Sequence, residues 1–205
     1  MEIMYYNNAE NNNIKLRKFT GFIGLLTDLQ AIIPKIEVPK IRENKKVKKL
    51  IKKKDNNAKI FEFSNEIYKK RYNELSKGEK KLVTLVHLCN QNPSTIILNH
   101  FDIGFNAKIK SRISRYIKTI HATKNTNFII ISNDVFFINK NVKHIIIAKN
   151  KIIKYQGDIL TAIKQKYINE PEIFKFIDLA NEKGANIDYT LDSKELLKSI
   201  YRSVF

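Results

Sequence analysis

Cysteine, glycine, proline and acidic residues are all scarce in this chain, and each scarcity excludes something. The single cysteine, Cys89, rules out an intramolecular disulfide and fits a reducing compartment. Six glycines leave little material for phosphate-binding loops, and none stands in the pattern GxxxxGK(S/T). No apolar stretch approaches the roughly 18–20 residues needed to span a bilayer. Residues 1–13, MEIMYYNNAENNN, are polar and lack the apolar segment of a signal peptide. The expected location is therefore cytoplasmic, with a peripheral place on the inner face of the cell membrane compatible with it.

Acids are outnumbered: 20 Asp and Glu face 38 Lys and Arg, a formal net charge of +18. Such a charge draws a protein to nucleic acid, lipid head groups or an acidic subunit without choosing among them. Lys, Asn and Ile recur throughout, so most of the charge reads as solvated background. No Cys/His or carboxylate cluster has metal-ligand spacing, and no metal site is expected. No GxSxG or Cys–His pairing points to a hydrolase.

What is present is an ordinary apolar fraction, 43% over 205 residues, enough for one domain with a real core. EIMYY reads as an edge strand, NNAENNN as a loop and FTGFIGLL as a second strand. Pro34 and Pro39 interrupt any helix around KIEV. In residues 40–57, Ile41, Val47, Leu50 and Ile51 recur at roughly helical spacing among lysines, predicting a basic amphipathic helix. Beyond Tyr72 the pattern becomes regular. Ser76 and Glu79 make a capping box before the apolar run LVTLVHLC, predicting a helix over about 76–90. A strand comes next in TIIL. Ile109, Ile113, Tyr116, Ile117 and Ile120 mark one face of a second helix. FIII and the hairpin HIIIAKNKIIKYQ complete the pattern, and residues 157–205 are helical in character. Strands apolar on both faces and separated by helices predict an α/β fold with a mostly parallel sheet covered by helices. Ligands in such sheets bind beyond the carboxyl ends of the strands, near Asn99, His100, Ser132 and Asn133.

The order of these motifs resembles the nucleotide-binding domain of an ABC transporter, over roughly residues 1–163. NELSKGEKKLVTLVHLCNQNP is similar to the LSGGQ signature, its helix and the turn before Walker B. TIILNHFDIGFN stands in the Walker B and D-loop place, FIIISNDVFFIN where that family has its switch histidine, and HIIIAKNKIIKYQGD at its closing hairpin. The resemblance implies a catalytically degenerate member. Asn99 replaces the Walker B aspartate, His100 the catalytic glutamate, Asn106 the D-loop aspartate and Asn133 the switch histidine. Leu25 is the residue nearest the Q-loop glutamine. The segment before it looks like the strand and loop that come after the P-loop helix in that family, so the expected core has an incomplete P-loop unit and a gap at the centre of its sheet. The N-terminal residues, another chain or a rearranged fold would have to fill that gap. The expected division is an ABC-ATPase-like domain over 1–163, with a helical subdomain and the basic helix within about 40–90, and a helical C-terminal extension over 164–205.

Ser76, Lys77, Gly78 and Glu79 largely keep the signature, which in that family closes over a nucleotide held by the opposite subunit. The resemblance thus implies a subunit inactive alone, with no cofactor of its own, sharing ATP and Mg with a partner. Its partners would be an intact ABC ATPase subunit or a permease of an export complex. The alternative is a non-catalytic interaction protein on the same scaffold. It would bind an acidic, anionic-lipid or nucleic-acid partner through Lys45, Lys46, Lys48, Lys49, Lys52, Lys53 and Lys54. Nucleic acid is not the favoured partner, because that run has one arginine and no aromatic residue for stacking.

Overall fold

The computed structural model describes residues 3–6, 19–33, 36–52 and 55–204. The expected loop over 7–13, together with Pro34, Lys53 and Lys54, lies outside the described residues. The apolar runs become the middle of a six-stranded sheet. Its strands are β1 (Ile3–Tyr6), β2 (Phe19–Ile23), β3 (Thr95–Asn99), β4 (Asn127–Ile131), β5 (Ile145–Lys149) and β6 (Ile152–Gly157). Their spatial order is β1-β3-β4-β2-β5-β6. β3, β4, β2 and β5 run parallel, while β1 and β6 close the two edges antiparallel.

The centre of the sheet has no gap. β2 lies between β4 and β5, so it is the N-terminal residues that fill the place left open by the motif order. TGFIG is therefore a central strand, and Leu25 lies in the two-residue turn between β2 and helix α1 (Leu26–Ile32). Gly21 is what lets β2 fit there: a Cβ on it would stand 2.9 Å from Ile145 and 3.0 Å from both Ile138 and Val142.

Alternation along the strands splits the core into two layers, because successive side chains point to opposite faces. Ile96, Leu98, Phe128, Ile130, Ile145 and Ile147 belong to the larger cluster. Ile97, Ile129, Ile131 and Ile146 join Met4, Phe22, Leu29 and Ile33 in the smaller one, where Leu29 of α1 covers the face. A short helix α2 (Asn65–Lys69) precedes the signature region. The larger layer is covered by α3 (Lys77–Cys89) and α4 (Ala107–Lys124), whose buried stripes include Leu82, Leu85, Val86, Ile113 and Ile117. Four further helices match the expected pattern only in part: α5 (Val135–Asn141), α6 (Ile159–Lys164), α7 (Glu172–Glu182) and α8 (Ser193–Val204). Phe174 and Ile177 of α7, with Ile187 and Leu191, pack into the larger cluster.

The basic amphipathic helix does not form. Among the described residues of 40–57, only a single 3₁₀ turn, Val47–Lys49, is helical. The segment instead lies against residues 70–73: Val47 N–H donates to Lys70 O (3.0 Å), Tyr72 N–H to Lys45 O (2.9 Å) and Asn73 N–H to Glu43 O (2.9 Å). The physical reason is charge. A helix here would place lysines four residues apart on one face, and like charges at that spacing repel. Val47, Leu50 and Ile51 are buried as anchors of an irregular segment, and the lysines between them face outward.

Candidate functional site

The spacing of Ser76 and Glu79 does what a capping box requires. Ser76 Oγ accepts from Glu79 N–H (3.2 Å), and Ser76 N–H donates to Glu79 Oε2 (2.8 Å). That backbone donor holds the Glu79 carboxyl below its ordinary range; burial opposes the shift, and the Ser76 side chain and Lys70 add to it. Ser76 and Lys77 are exposed. Gly78 backs onto Phe105, where a Cβ would stand 3.2 Å from the ring. Lys81 Nζ donates to Ile103 O (2.8 Å) and lies over the rings of Phe101 and Phe105. The start of α3 is thereby clamped to the loop after β3.

That loop begins at the carboxyl end of the parallel strands. Asn99 closes β3 opposite Ile131 of β4. His100 takes a left-handed backbone (φ 46°), its N–H donates to Ile131 O (2.8 Å), and its buried Nδ1 has no hydrogen-bond partner. Asp102 is buried with Oδ1 likewise unpartnered. Lys110 Nζ lies 3.9 Å from Asp102 and donates to Asp134 Oδ2 at 2.7 Å. Burial pushes the Asp134 carboxyl up, but the hydrogen bonds from Lys110 and from Phe137 N–H outweigh it and hold it below its ordinary range. Asn106 is the N-cap of α4, its Oδ1 accepting from Ile109 N–H (2.9 Å). Asn133 is exposed and lines a recess of about 460 Å³ with Asp134, Phe136 and Glu172.

Asn99, His100, Asn106, Asn133 and residues 76–79 thus gather near the carboxyl ends of the strands, where α/β sheets bind ligands. Glu79 and Asn106 have plain structural work there as caps. Neither Asn99 nor His100 offers a carboxylate. Among the described residues no group of three or more His, Cys, Asp or Glu side chains is arranged around a metal. Asn99 and His100 thus supply no carboxylate ligand for a magnesium ion at the end of β3.

The Asp102–Lys110–Asp134 cluster escaped sequence reasoning, because its members are up to 32 positions apart and the motif comparison singled out other residues of the same segments. His87 Nδ1 is hydrogen-bonded to Leu50 O (3.0 Å) and His121 Nδ1 to Thr126 O (2.9 Å). Cys89 is fully enclosed, and burial pushes its thiol up to about 12, so it is no nucleophile at neutral pH.

No protein-family model matches the chain. Curated relatives do. Energy-coupling factor transporter ATP-binding protein EcfA1 of Ureaplasma parvum is 25% identical over 154 residues, covering 72% of this chain and 52% of the relative. Energy-coupling factor transporter ATP-binding protein EcfA2 of Staphylococcus aureus strain MRSA252 is 21% identical over 147 residues, 68% of this chain and 51% of the relative. EcfA2 of Clostridioides difficile is 24% identical over 139 residues, 62% and 48%. The chain spans about half the length of these relatives. Among solved structures, an ATP-binding subunit of an ABC transporter superposes with a TM-score of 0.57 at 14% identity, covering 87% of this chain and 97% of that one. An ATP-binding cassette solved as a dimer in a post-hydrolysis state, bound to ADP and phosphate, gives 0.54 at 13% identity, 76% and 95%. The fold is that of ABC ATPases, and the sequence is homologous to ABC transporter ATP-binding subunits.

Proposed function

We propose that the chain is a catalytically silent ABC-type subunit. It acts in complex with an ATPase-competent partner at the cytoplasmic face of a membrane transporter, and residues 76–79 meet a nucleotide held by that partner. The observation that carries this reading is the contrast along one edge. The start of α3 keeps an exposed Ser76 and Lys77 with their signature spacing, while Asn99 and His100 stand where carboxylates would hold and activate a magnesium nucleotide. The turn after the central strand supports the same reading. It is two residues long, Gly24 and Leu25, and the Leu25 N–H is taken by the Asp28 carboxylate (3.2 Å). A phosphate loop needs several free N–H groups at this place, and catalysis of phosphoryl transfer rests on such positioning.

The role of the chain is to complete a partner's site with hydrogen-bond donors, not to transfer a phosphoryl group itself. The test uses the chain with an intact energy-coupling factor-type ATPase from the same genome. The chain alone hydrolyses Mg-ATP at background rate. Adding it raises hydrolysis by the partner, and Ser76→Arg abolishes that rise while the complex still co-elutes. Turnover or tight Mg-ATP binding by the isolated chain overturns the proposal, as does full stimulation by Ser76→Arg.

A further inference from the structure

Replacing the expected basic helix by an irregular segment has a consequence for charge. The folded segment gathers cations around a hollow. Lys40, Arg42, Lys45, Lys46, Lys49 and Arg71 all line one concavity of about 660 Å³, and no carboxylate lines it. The short antiparallel pairing of Lys46 with Arg71 brings Arg71 to this segment. Ile41 and Leu50 contribute apolar surface, and His87 stands at the wall with its Nδ1 already bonded to Leu50 O.

The neighbouring acids are turned to other tasks. Glu43 faces away into a separate hollow, 3.7 Å from Lys80. Glu74 accepts the backbone N–H of Arg71 (2.7 Å). Among the described residues none of the six cations is ion-paired. A few cations elsewhere are compensated, as where Lys110 sits between Asp102 and Asp134 and Arg112 meets Glu62. Uncompensated like charges around a concave, low-dielectric wall repel one another and focus a positive potential into the hollow. The volume lies in the range of small-molecule sites, about 300–1,000 Å³.

We infer that this concavity binds a compact soluble oligophosphate, an anion carrying two or more linked phosphate groups. One phosphate would leave most of the six charges unmatched. An extended nucleic-acid backbone would use only part of a compact concavity and would find no Phe, Tyr or Trp in its lining on which to stack bases. Arg42 and Arg71 supply planar forks that take phosphate oxygens two at a time, and the lysines supply point charges around them. The site shares no residue with 76–79, so it does not depend on the partner-nucleotide role proposed above.

The test is calorimetric titration of the full chain with inorganic triphosphate, with orthophosphate, phosphatidylglycerol vesicles and a single-stranded RNA 20-mer as comparison arms. Triphosphate binds one to one, at least about tenfold more tightly than orthophosphate, and the affinity falls as salt is raised. Arg42→Gln and Arg71→Gln each weaken it by about tenfold or more. Lys143→Gln, on the surface away from the concavity, and Ser76→Arg leave it unchanged. Thermal melting of each variant separates lost binding from lost folding, and Lys49→Gln provides a third wall position should one arginine variant not fold. The inference fails if triphosphate binds no more tightly than orthophosphate. It fails if Lys143→Gln weakens binding as much as Arg42→Gln and Arg71→Gln. It also fails if vesicles or RNA, and not triphosphate, bind in a way those two variants abolish.

Discussion

The carboxylate of Asp28, in the first turn of α1, accepts the backbone N–H of Lys151 at 2.7 Å, joining two residues 123 positions apart. Its other oxygen accepts Leu25 N–H at 3.2 Å. Asp28 is buried and so ties the turn after the central strand to the hairpin between β5 and β6. That hairpin is a two-residue turn in which Asn150 and Lys151 both adopt positive φ, 54° and 62°. Left-handed geometry at both central positions matches strand twist but strains a lysine, and the Asp28 bond helps hold it.

Removing this carboxylate takes away a charged acceptor from the N–H groups of Leu25 and Lys151. Asp28→Ala should cost about 1.5–3 kcal/mol, read as a lower urea midpoint with an unchanged slope. A loss below about 0.5 kcal/mol, the scatter of ordinary surface substitutions, would show the tie to be energetically idle. Asp28→Asn keeps one acceptor and should fall between the two.

Gly21 of the central strand and Gly24 just after it make a second expectation. Gly24 has φ 151°, and a Cβ there would stand 2.6 Å from the Ala148 carbonyl oxygen, a backbone atom that cannot swing aside. Gly21 faces three branched methyls that can shift by a few tenths of an ångström. Gly24→Ala should cost about 2–4 kcal/mol and Gly21→Ala about 1–3 kcal/mol. Thermal melts of the two variants check the order. Wild-type stability in Gly24→Ala would mean that β2 does not lie against β5 as described.

Acid should destabilise the fold through named carboxyls. Backbone and side-chain hydrogen bonds hold Glu79 and Asp158 low, and Lys110 with Phe137 N–H does so for Asp134 against its burial. A carboxyl depressed in the folded state contributes stability above its unfolded value, about 3.9 for Asp and 4.3 for Glu. That contribution is lost as pH falls through the lower folded value. Asp134→Asn keeps an N-cap acceptor for α5 but loses the ion pair with Lys110. It should be less stable than wild type by about 1 kcal/mol at pH 6, and the gap should narrow as pH falls below the unfolded value. Unfolding curves that stay parallel from pH 6 to 3 would remove Asp134 from the account.

Much of this was legible in the chain. The capping box at Ser76 and Glu79, the helical stripe from Ile109 to Ile120 and the apolar runs TIIL, FIII and III each carry a local period, and each formed the element that its period demands. The candidate edge was legible too, because strand ends are where such sheets present side chains. Helices α1, α2 and α5 were missed because, at seven, five and seven residues, they are too short to display a period. The basic helix was misread because sparse apolar residues at near-helical spacing also suit an irregular segment anchored at Val47, Leu50 and Ile51.

By itself, then, the sequence determined the layered α/β class, the main strands and helices, and the absence of carboxylates at Asn99 and His100, because these come from local periodicity and residue chemistry. Only the tertiary structure decided that β2 fills the centre of the sheet, that Asp28 closes the turn beside it, and that six cations face one hollow. Those outcomes depend on contacts between residues far apart in the chain, where close approach at Gly21 and Gly24, burial of a carboxylate and repulsion among lysines act through space and leave no local period to read.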